Sequence, residues 1–512
     1  MRKVLIANRG EIAVRIARAC RERGLGVVAV YAGPDAGRMH VLAADEAVCL
    51  DPDGQEADSG ADARPVAAYL SVAGVIDAAR RSGADAVHPG YGFLSERPAL
   101  AAACADAGLT FIGPPADVIA RMGSKLEARR LMESAGVPCV PGARPDDQSI
   151  EALRAAATQV GVPLLVKASA GGGGKGMRVV ERIEDLDEAL GAARREAESA
   201  FGDGTLYIER RIGRPRHIEV QVMADAHGAT LHLGERECSL QRRHQKVIEE
   251  APSPVVSPAL RARLGAAAVA AARAAGYRSA GTVEFLLDGD DGEAPFYFLE
   301  MNTRLQVEHP ITELVTGLDL VQLQLDVADG LPLALLQQSI TPRGHAVECR
   351  LYAEAPSQGF LPQSGTILRY IEPQGPGIRV DSGVRQGDVI TPDFDPLLAK
   401  LIVHAPTRAG ALARARQALR DFVVLGLHTN APYLLRVLSH ADVEAGAIHT
   451  GWLAQEHESL TAPAAEATLA AASAVAARHR LLPIDQQRDG AAAATGTSSL
   501  ATPWHTLGGW RG

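Results

Sequence analysis

Residues 280–309 read AGTVEFLLDGDDGEAPFYFLEMNTRLQVEH, and this stretch restricts the fold more than any other part of the chain. Two strand-like runs, TVEFLL and PFYFLEMN, flank the turn sequence DGDDGEA, which predicts an antiparallel hairpin. A hairpin centred near residues 291–292 places Glu284 and Glu300 almost opposite each other. Cross-strand neighbours have Cβ atoms about 5 Å apart, where two carboxylates repel each other unless a cation lies between them. The pair therefore predicts a site for Mg²⁺, which prefers oxygen ligands and also binds phosphate oxygens.

The polar alternation continues beyond the hairpin. The polar positions are all even-numbered: Glu300, Asn302, Arg304, Gln306 and Glu308. The odd-numbered residues between them are apolar except Thr303, so an extended segment would carry two acids, two amides and a guanidinium on one face. A solvated edge strand would show the same pattern. The FYFLE run and an apolar helix predicted for ITELVTGLDLVQLQL favour a buried segment, in which charges need partners or metals.

The stretch KASAGGGGKGMRVV, residues 167–180, resembles a phosphate-binding loop without being a Walker A motif. That motif needs G-x-x-x-x-G-K followed by Ser or Thr. Here Ser169 occupies the first glycine position and Gly176 follows Lys175, so the hydroxyl that would bind magnesium is missing. A simple surface turn is one interpretation. Four consecutive glycines after a strand that ends in Lys167 favour a mobile flap whose backbone amides close over phosphates.

Strand and helix signals divide the chain into regions. The first 120 residues alternate between apolar strands and helices, which predicts a parallel sheet covered by helices. The turn NRGE lacks the G-x-G-x-x-G spacing, so we predict no dinucleotide site there. A third region, from about residue 341, combines strands such as LLAKLIVHA with the amphipathic helix TRAGALARARQALRDF. Residues 457 to about 502 are rich in Ala, Ser, Thr and Gly and predict a linker.

Charge and cysteine content exclude several classes of protein. The 52 Lys and Arg residues against 61 Asp and Glu residues give a net charge of -9, which argues against nucleic-acid binding. The six cysteines form no CxxC pair and no zinc spacing, so we predict reduced thiols in a cytoplasmic protein. No apolar run reaches membrane-spanning length, which predicts a protein without membrane segments.

Five stretches follow one another along the chain: HPGYGFLSE, KASAGGGGKGMR, RRHQKVIEEAPSP, EMNTRLQVEHP and GHAVECR. Together they resemble the signature stretches of biotin carboxylases. The chain resembles this family of ATP-grasp enzymes from about residue 2 to about residue 455. The resemblance implies a mixed α/β and α+β architecture. It has a Rossmann-like N-terminal domain (1–120), an ATP-grasp domain (121–340) with a mobile glycine-rich lid (about 140–210) and a C-terminal α+β domain (341–456). Residues 457–512 would form an Ala-rich linker and the start of a linking domain.

The resemblance also implies a reaction and its site residues. ATP would phosphorylate bicarbonate to carboxyphosphate, and CO₂ would then pass to N1 of biotin on a carrier. The implied catalytic residues are Lys246, Arg304, Glu308 as general base and Arg350, which would also bind biotin. Bicarbonate would contact Lys246, Arg304, Gln306 and Val307, and Mg²⁺ or Mn²⁺ would bind Glu284, Glu300 and Asn302. The implied ATP-binding residues are Lys125, Lys167, Gly173, Gly174, Met177, Glu209, Arg210, Arg211, Ile212, His217, Gln241, His244, Glu284 and Glu300.

The implied partners follow from what the sequence lacks. No Met-Lys-Met biotinylation motif occurs, so the biotin carrier belongs to another chain or to a part outside this one. The stretch DSGVRQGDVITPDFDPLLAKLIV resembles α subunits of acyl-CoA carboxylases of the methylcrotonyl-, propionyl- or geranyl-CoA type. This implies a truncated or naturally shortened α subunit that works with a carboxyltransferase subunit as a homodimer or in a larger complex. The alternatives are an ATP-grasp ligase for another carboxylate and a catalytically silent nucleotide-binding regulator.

Overall fold

The strand and helix alternation at the N-terminus builds a parallel sheet in the computed structural model, which describes residues 1–51, 65–169 and 177–462. The strands are β1 (Lys3–Ile6), β2 (Gly26–Tyr31), β3 (Glu46–Cys49), β4 (Ala86–His88) and β5 (Thr110–Phe111). The helices are α1 (Gly10–Glu22), α2 (Met39–Leu42), α3 (Val66–Tyr69), α4 (Val72–Ser82), α5 (Pro98–Asp106) and α6 (Ala116–Gly123). The order β3-β2-β1-β4-β5 confirms the predicted parallel sheet.

The central strand β1 shows why this sheet forms. Parallel strands are covered on both faces, so their sequences are continuously apolar. Val4 and Ile6 pack in one hydrophobic cluster with α1, whereas Leu5 packs in a second cluster with α4 and α5. All three side chains are at most 1% exposed. The apolar run VLIA therefore supplies the two cores that cover the two faces of the sheet.

Within the described residues, the second region, residues 121–340, contributes nine strands. They are β6 (Gly142–Ala143), β7 (Leu164–Ala168), β8 (Met177–Val180), β9 (Leu206–Arg210), β10 (Arg216–Ala224), β11 (Thr230–Arg242), β12 (Gln245–Ala251), β13 (Ser279–Leu287) and β14 (Phe296–Asn302). The helices are α7 (Lys125–Ser134), α8 (Ile150–Val160), α9 (Leu186–Phe201), α10 (Pro258–Ala275), α11 (His309–Thr316) and α12 (Leu320–Ala328). Strands β6 to β9 form a separate four-stranded antiparallel sheet in the order β6-β9-β7-β8.

The third region completes a large antiparallel sheet. Its strands are β15 (His345–Tyr352), β16 (Glu354–Ala355), β17 (Leu361–Pro362), β18 (Gly365–Thr366), β19 (Arg369–Ile371), β20 (Ile378–Ser382), β21 (Val389–Ile390), β22 (Leu397–Ala405) and β23 (Val423–Leu425). Its helices are α13 (Arg408–Asp421), α14 (Ala431–Leu438), α15 (Ala441–Ala445), α16 (Trp452–Gln455) and α17 (His457–Thr461). The eight strands run in the order β14-β13-β10-β11-β12-β15-β22-β20, so the second and third regions share one sheet.

Single-turn 3₁₀ helices occur at Gly33–Asp35, Ile183–Asp185, Gln337–Ser339 and Pro356–Gln358. The six cysteines are all free, and four of them are buried, as the sequence predicts. Across the described ranges, the longest apolar helices fall short of what a bilayer crossing requires. The prediction of a mobile lid depends on Gly173 and Gly174, which lie outside the described residues, as do residues 463–512 of the predicted linker. The predicted domain boundaries stay a prediction.

Three local predictions differ from the structure. The segment after β14 leaves the extended conformation at Asn302 and turns through residues 303–308 before α11 begins. The single helix predicted for ITELVTGLDLVQLQL is divided into α11 and α12, because Gly317 adopts a left-handed φ of 74° and Asp319 caps the second helix at the backbone N–H of Gln322 (2.8 Å). In addition, residues 457–461 of the predicted linker form α17.

Helix α10 offers a test of the local contributions to stability. The hydroxyl of Ser257 accepts a hydrogen bond from the backbone N–H of Leu260 at 3.1 Å and donates to the carbonyl of Gly292 at 2.9 Å. We expect Ser257→Ala to lower the free energy of unfolding by about 1 kcal/mol through loss of the helix cap. Urea denaturation followed by circular dichroism measures the loss. Ser257→Asp keeps a capping oxygen and serves as the control; an equal loss in both variants would contradict capping as the cause.

Candidate active site

A cavity of about 740 Å³ lies where the N-terminal sheet, the large sheet and the third region meet. Residues from the NRGE turn line one side, and Tyr91, Phe93 and Phe394 line the adjacent wall. Ten of the predicted site residues also line the cavity: His217, His244, Lys246, Glu284, Glu300, Asn302, Arg304, Gln306, Val307 and Arg350. Residues from β10, β12, β13, β14 and β15 are therefore brought to one place, as the resemblance implies.

The predicted carboxylate pair is present in the hairpin. Strands β13 and β14 pair with Glu284 directly opposite Glu300 and Thr282 opposite Asn302, which confirms the predicted register. Glu284 accepts hydrogen bonds from Lys246 Nζ (2.9 Å) and Asn302 Nδ2 (2.8 Å) and lies 2.9 Å from His217 Nε2. Burial alone would raise the pKa of Glu284, but Lys246 and His217 hold this pKa well below its ordinary value. Glu284 is therefore an anion in the resting protein.

Glu300 has a different environment. Its carboxyl group reaches into the cavity, and within the described residues it makes no hydrogen bond or ion pair. Partial burial, followed by the negative charge of Glu284, raises the pKa of Glu300. An unpaired carboxyl group opposite a second carboxylate, with the amide oxygen of Asn302 two residues away, is an all-oxygen ligand set. These residues fit Mg²⁺ or Mn²⁺.

A cluster of alternating charges lies deeper in the site. Glu308, at the start of α11, is fully buried and accepts hydrogen bonds from Lys246 Nζ (2.6 Å) and from a terminal nitrogen of Arg350 (2.9 Å). Lys246 also contacts Glu219. Burial would raise the pKa of Glu308, but Lys246, Arg350 and Arg236 hold it well below the ordinary value. Glu308 does not line the cavity itself; Lys246 and Arg350 lie between it and the open space.

Arg304 lies at the edge of the cavity rather than in this cluster. Its guanidinium contacts Gln306 Oε1 (2.9 Å), Asn302 Oδ1 (3.1 Å) and Glu96 (3.1 Å). The turn through residues 303–308 therefore keeps Asn302, Arg304 and Gln306 together even though the segment is not extended. The side chain of Glu96, from the stretch HPGYGFLSE, joins the N-terminal region to this turn.

Four of the predicted nucleotide residues that the structure describes lie on the four-stranded sheet: Lys167, Met177, Glu209 and Arg210. Lys167 on β7 donates to Glu209 on β9 at 2.5 Å, and Arg129 also donates to Glu209 at 2.8 Å. Met177 opens β8 opposite Lys167. Arg210 contacts Tyr297 (2.8 Å), Arg211 pairs with Glu181, and Ile212 is buried. Lys125 begins α7, and Gln241 lies beside His217 (3.4 Å). These groups lie outside the main cavity lining.

Sequence reasoning missed several buried charged residues of this site. Arg236 and Glu219 are both fully buried and paired. Arg236 also donates to Gln221 (2.8 Å), Thr312 (2.9 Å) and Thr282 (3.0 Å), which ties three strands to α11. The alternation of His217, Glu219 and Gln221 on one face of β10 was a signal for Glu219. No local pattern marks Arg236, whose partners lie up to 76 residues away.

Curated relatives resemble nearly the whole chain. The chain is 46% identical over 510 residues to the mitochondrial methylcrotonoyl-CoA carboxylase subunit alpha of Dictyostelium discoideum and covers 70% of its length. It is 48% identical over 466 residues to the corresponding subunit of Oryza sativa subsp. japonica but spans only 62% of that protein. Biotin carboxylase 1 of Bacillus subtilis (strain 168) is 47% identical over 453 residues, which are 88% of this chain and 98% of the relative.

Solved structures show the same fold. The biotin carboxylase domain dimer of 2-oxoglutarate carboxylase from Hydrogenobacter thermophilus, solved with MgADP, ADP and bicarbonate, matches with a TM-score of 0.83 and 43% identity. This match covers 91% of the chain and 99% of the solved domain. Biotin carboxylase from Campylobacter jejuni, in a complex described as β,γ-ATP, matches with a TM-score of 0.82 and 42% identity over 89% of the chain and 98% of that protein.

Family models match three consecutive parts of the chain. Residues 1–119 match the biotin carboxylase N-terminal domain, residues 124–336 the ATP-binding domain of the carbamoyl-phosphate synthase L chain, and residues 348–455 the biotin carboxylase C-terminal domain. The fold and the site together define an ATP-grasp ligase. The chain belongs to the biotin carboxylase family.

Proposed function

We propose that this chain carries out the first half-reaction of an acyl-CoA carboxylase, in which ATP and bicarbonate carboxylate N1 of biotin on a carrier. The observation that carries the proposal is the position of the Lys246, Glu308 and Arg350 cluster directly behind the Glu284 and Glu300 pair. A site for the phosphates and their cation thus adjoins a site for a small anion and a base. This arrangement suits phosphoryl transfer to bicarbonate followed by carboxyl transfer.

The nucleotide residues act by position and charge. Lys125 and Lys167 would contact the ATP phosphates as point charges, while Glu209, Arg210, Arg211 and Ile212 would lie along the adenine. His217, Gln241 and His244 would border the nucleotide, with Met177 and the lid glycines Gly173 and Gly174 above it. Glu284, Glu300 and Asn302 would hold Mg²⁺ or Mn²⁺, which supplies positive charge to the phosphate oxygens when bound. Lys167 donates to Glu209 in the structure and would have to break this hydrogen bond to contact a phosphate of ATP.

Bicarbonate would bind against the cationic side of the cavity. Lys246 and Arg304 would neutralise its charge, and Gln306 and the backbone of Val307 would orient it. Glu308 would take the bicarbonate proton, because the cations around it keep the carboxylate ionised and able to accept. Arg350 would stabilise the enolate that forms when biotin loses its N1 proton, an electrostatic role that the guanidinium can fulfil at any physiological pH.

Both half-reactions need partners. A biotin carrier domain or protein would bring biotin to the cavity, and a carboxyltransferase subunit would pass the carboxyl group to an acyl-CoA. The methylcrotonoyl-CoA carboxylase relatives support an acyl-CoA as the final acceptor. The dimer of the related 2-oxoglutarate carboxylase domain supports assembly as a homodimer.

The decisive experiment follows ADP release from MgATP with and without bicarbonate and free biotin. We expect turnover to require bicarbonate and to rise when biotin is added, with carboxybiotin formed from labelled bicarbonate. Turnover that is independent of bicarbonate, or ligation of an amino acid in place of bicarbonate, would contradict the proposal and favour another ATP-grasp ligase. Binding of ATP without any turnover would favour a regulator.

A further inference from the structure

Two buried carboxyl groups lie behind Arg350. Glu249 on β12 and Glu348 on β15 are directly opposite each other in the antiparallel register, and both are fully buried. Cross-strand neighbours on one face have Cβ atoms about 5 Å apart. Arg350 Nε donates to Glu249 Oε1 at 2.6 Å. Among the described residues, three oxygens of the pair have no hydrogen-bond partner, namely Oε2 of Glu249 and both oxygens of Glu348.

The donors near this pair are already used elsewhere. The ionisable groups around Glu348 include Glu249 on β12, Arg350 on β15, Lys400 on β22, Glu308 at the start of α11 and Tyr91 after β4. Arg350 donates to Glu249 and Glu308. Lys400 Nζ donates to the carbonyl of Val307 at 2.8 Å and lies 3.1 Å from Glu11, which also accepts a hydrogen bond from the hydroxyl of Tyr91. Glu348 is left without a donor in the described part of the chain.

A charged Glu348 would be costly in this position. A buried ionised carboxylate without hydrogen bonds loses its hydration without compensation, and a second carboxylate opposite it adds repulsion. A neutral carboxyl group changes this, because it gains one O–H donor. The unpartnered Oε2 of Glu249 is available as its acceptor. Burial raises the pKa of Glu348 well above its ordinary value and that of Glu249 to about 7, which agrees with one proton held by the pair.

We propose that Glu348 is a positioning residue for Arg350. In the resting protein the carboxyl group of Glu348 is protonated and donates a hydrogen bond to Oε2 of Glu249. The shared proton leaves Oε1 of Glu249 to accept from Arg350, so the guanidinium is held between Glu249 and Glu308. Loss of this proton would place a second uncompensated negative charge behind Arg350 and draw it from the cavity. The inference rests on the proposed function, because the role of Arg350 at biotin is part of that proposal.

Kinetics with free biotin test the positioning role. We expect Glu348→Leu to raise the KM for biotin about tenfold and to leave bicarbonate-dependent ATP turnover without biotin nearly unchanged. Glu348→Gln imitates the neutral acid, since its amide donates to Glu249, and we expect it to recover most of the lost KM. Equal KM values in the two variants, whether raised or normal, would overturn the proposal.

Difference infrared spectroscopy reads the proton without depending on activity. We subtract the spectrum of Glu348→Gln from that of the wild type at neutral pH. We expect the difference to show the carbonyl stretch of a protonated carboxylic acid. Glu151→Gln, which changes an exposed glutamate, should show no such band. If the wild type and Glu348→Gln are both folded and the band is absent from their difference spectrum, Glu348 is not protonated and the proposal is overturned. A wild-type protein without biotin carboxylation would instead contradict the proposed function and leave the infrared result standing.

Discussion

Replacing Glu308 by glutamine is expected to lower the turnover number for biotin carboxylation about a thousandfold, within the range typical of a lost general base. Glutamine keeps the shape of the side chain but cannot accept the bicarbonate proton. It also removes a negative charge next to Lys246 and Arg350, because both donate to Glu308 in the resting protein. ATP binding, measured by calorimetry, should change little, since Glu308 lies behind the cations and not on the nucleotide sheet.

The matched control for this variant is Glu354→Gln. Glu354 is also buried and paired with an arginine, Arg242 at 3.3 Å. It makes no hydrogen bond or ion pair with Lys246 or Arg350, the two cavity-lining cations that donate to Glu308. We expect its turnover to stay close to that of the wild type. Comparable losses in the two variants would indicate a general effect of removing a buried charge, and an active Glu308→Gln protein would show that another group takes the proton.

The pH dependence of the wild type adds a second readout. A carboxyl group whose pKa is lowered stays ionised until the pH falls through that lowered value, and only then loses its function as a base. Lys246 and Arg350 outweigh burial and lower the pKa of Glu308. We therefore expect no loss of activity from protonation of Glu308 as the pH falls from neutral through the range in which ordinary glutamates titrate. An acid limb in the pH–rate profile has to come from another group.

The parts of the site that the sequence predicts are those set by local geometry. The register of Glu284 and Glu300 follows from the length of a single hairpin turn, so simple counting finds it. The turn through residues 303–308 is different. Its polar alternation suggests a strand, but Arg304 is turned towards Gln306 and Glu96, a partner more than two hundred residues earlier. A tertiary contact thus replaces the extended conformation that the local pattern favours.

The buried charges behind the cavity show the limit of sequence reasoning more clearly. Arg236 joins partners on β10, β13 and α11, and Lys400 reaches the backbone of Val307 from β22. Neither residue belongs to a local pattern, because the strands that carry them meet only in the eight-stranded sheet. Only the assembled sheet also reveals that Glu249 and Glu348 are neighbours, since they are 99 positions apart in the sequence and no turn links their strands.

Replacing Glu300 by glutamine is expected to raise the Mg²⁺ concentration needed for half-maximal ADP release about a hundredfold, because even loss of a residue behind a metal ligand costs 10- to 100-fold in affinity. The remaining ligands, Glu284 and Asn302, are already bound to protein groups, whereas Glu300 is unpaired within the described residues. Glu293→Gln, in the exposed turn of the same hairpin, is the matched control and should leave the Mg²⁺ dependence unchanged.

The charge state of Glu300 makes this prediction depend on pH. Partial burial and the charge of Glu284 raise the pKa of Glu300, so its carboxyl group takes up a proton at higher pH than an ordinary glutamate does. A proton and a cation compete for this group, and the apparent Mg²⁺ affinity should therefore fall as the pH is lowered through that raised pKa. Glutamine does not titrate, so in Glu300→Gln the affinity should be weak and nearly independent of pH. Mg²⁺ titrations of both proteins across the acidic range separate loss of a ligand from a general weakening of the nucleotide site, which would lower the affinity while keeping the wild-type pH dependence.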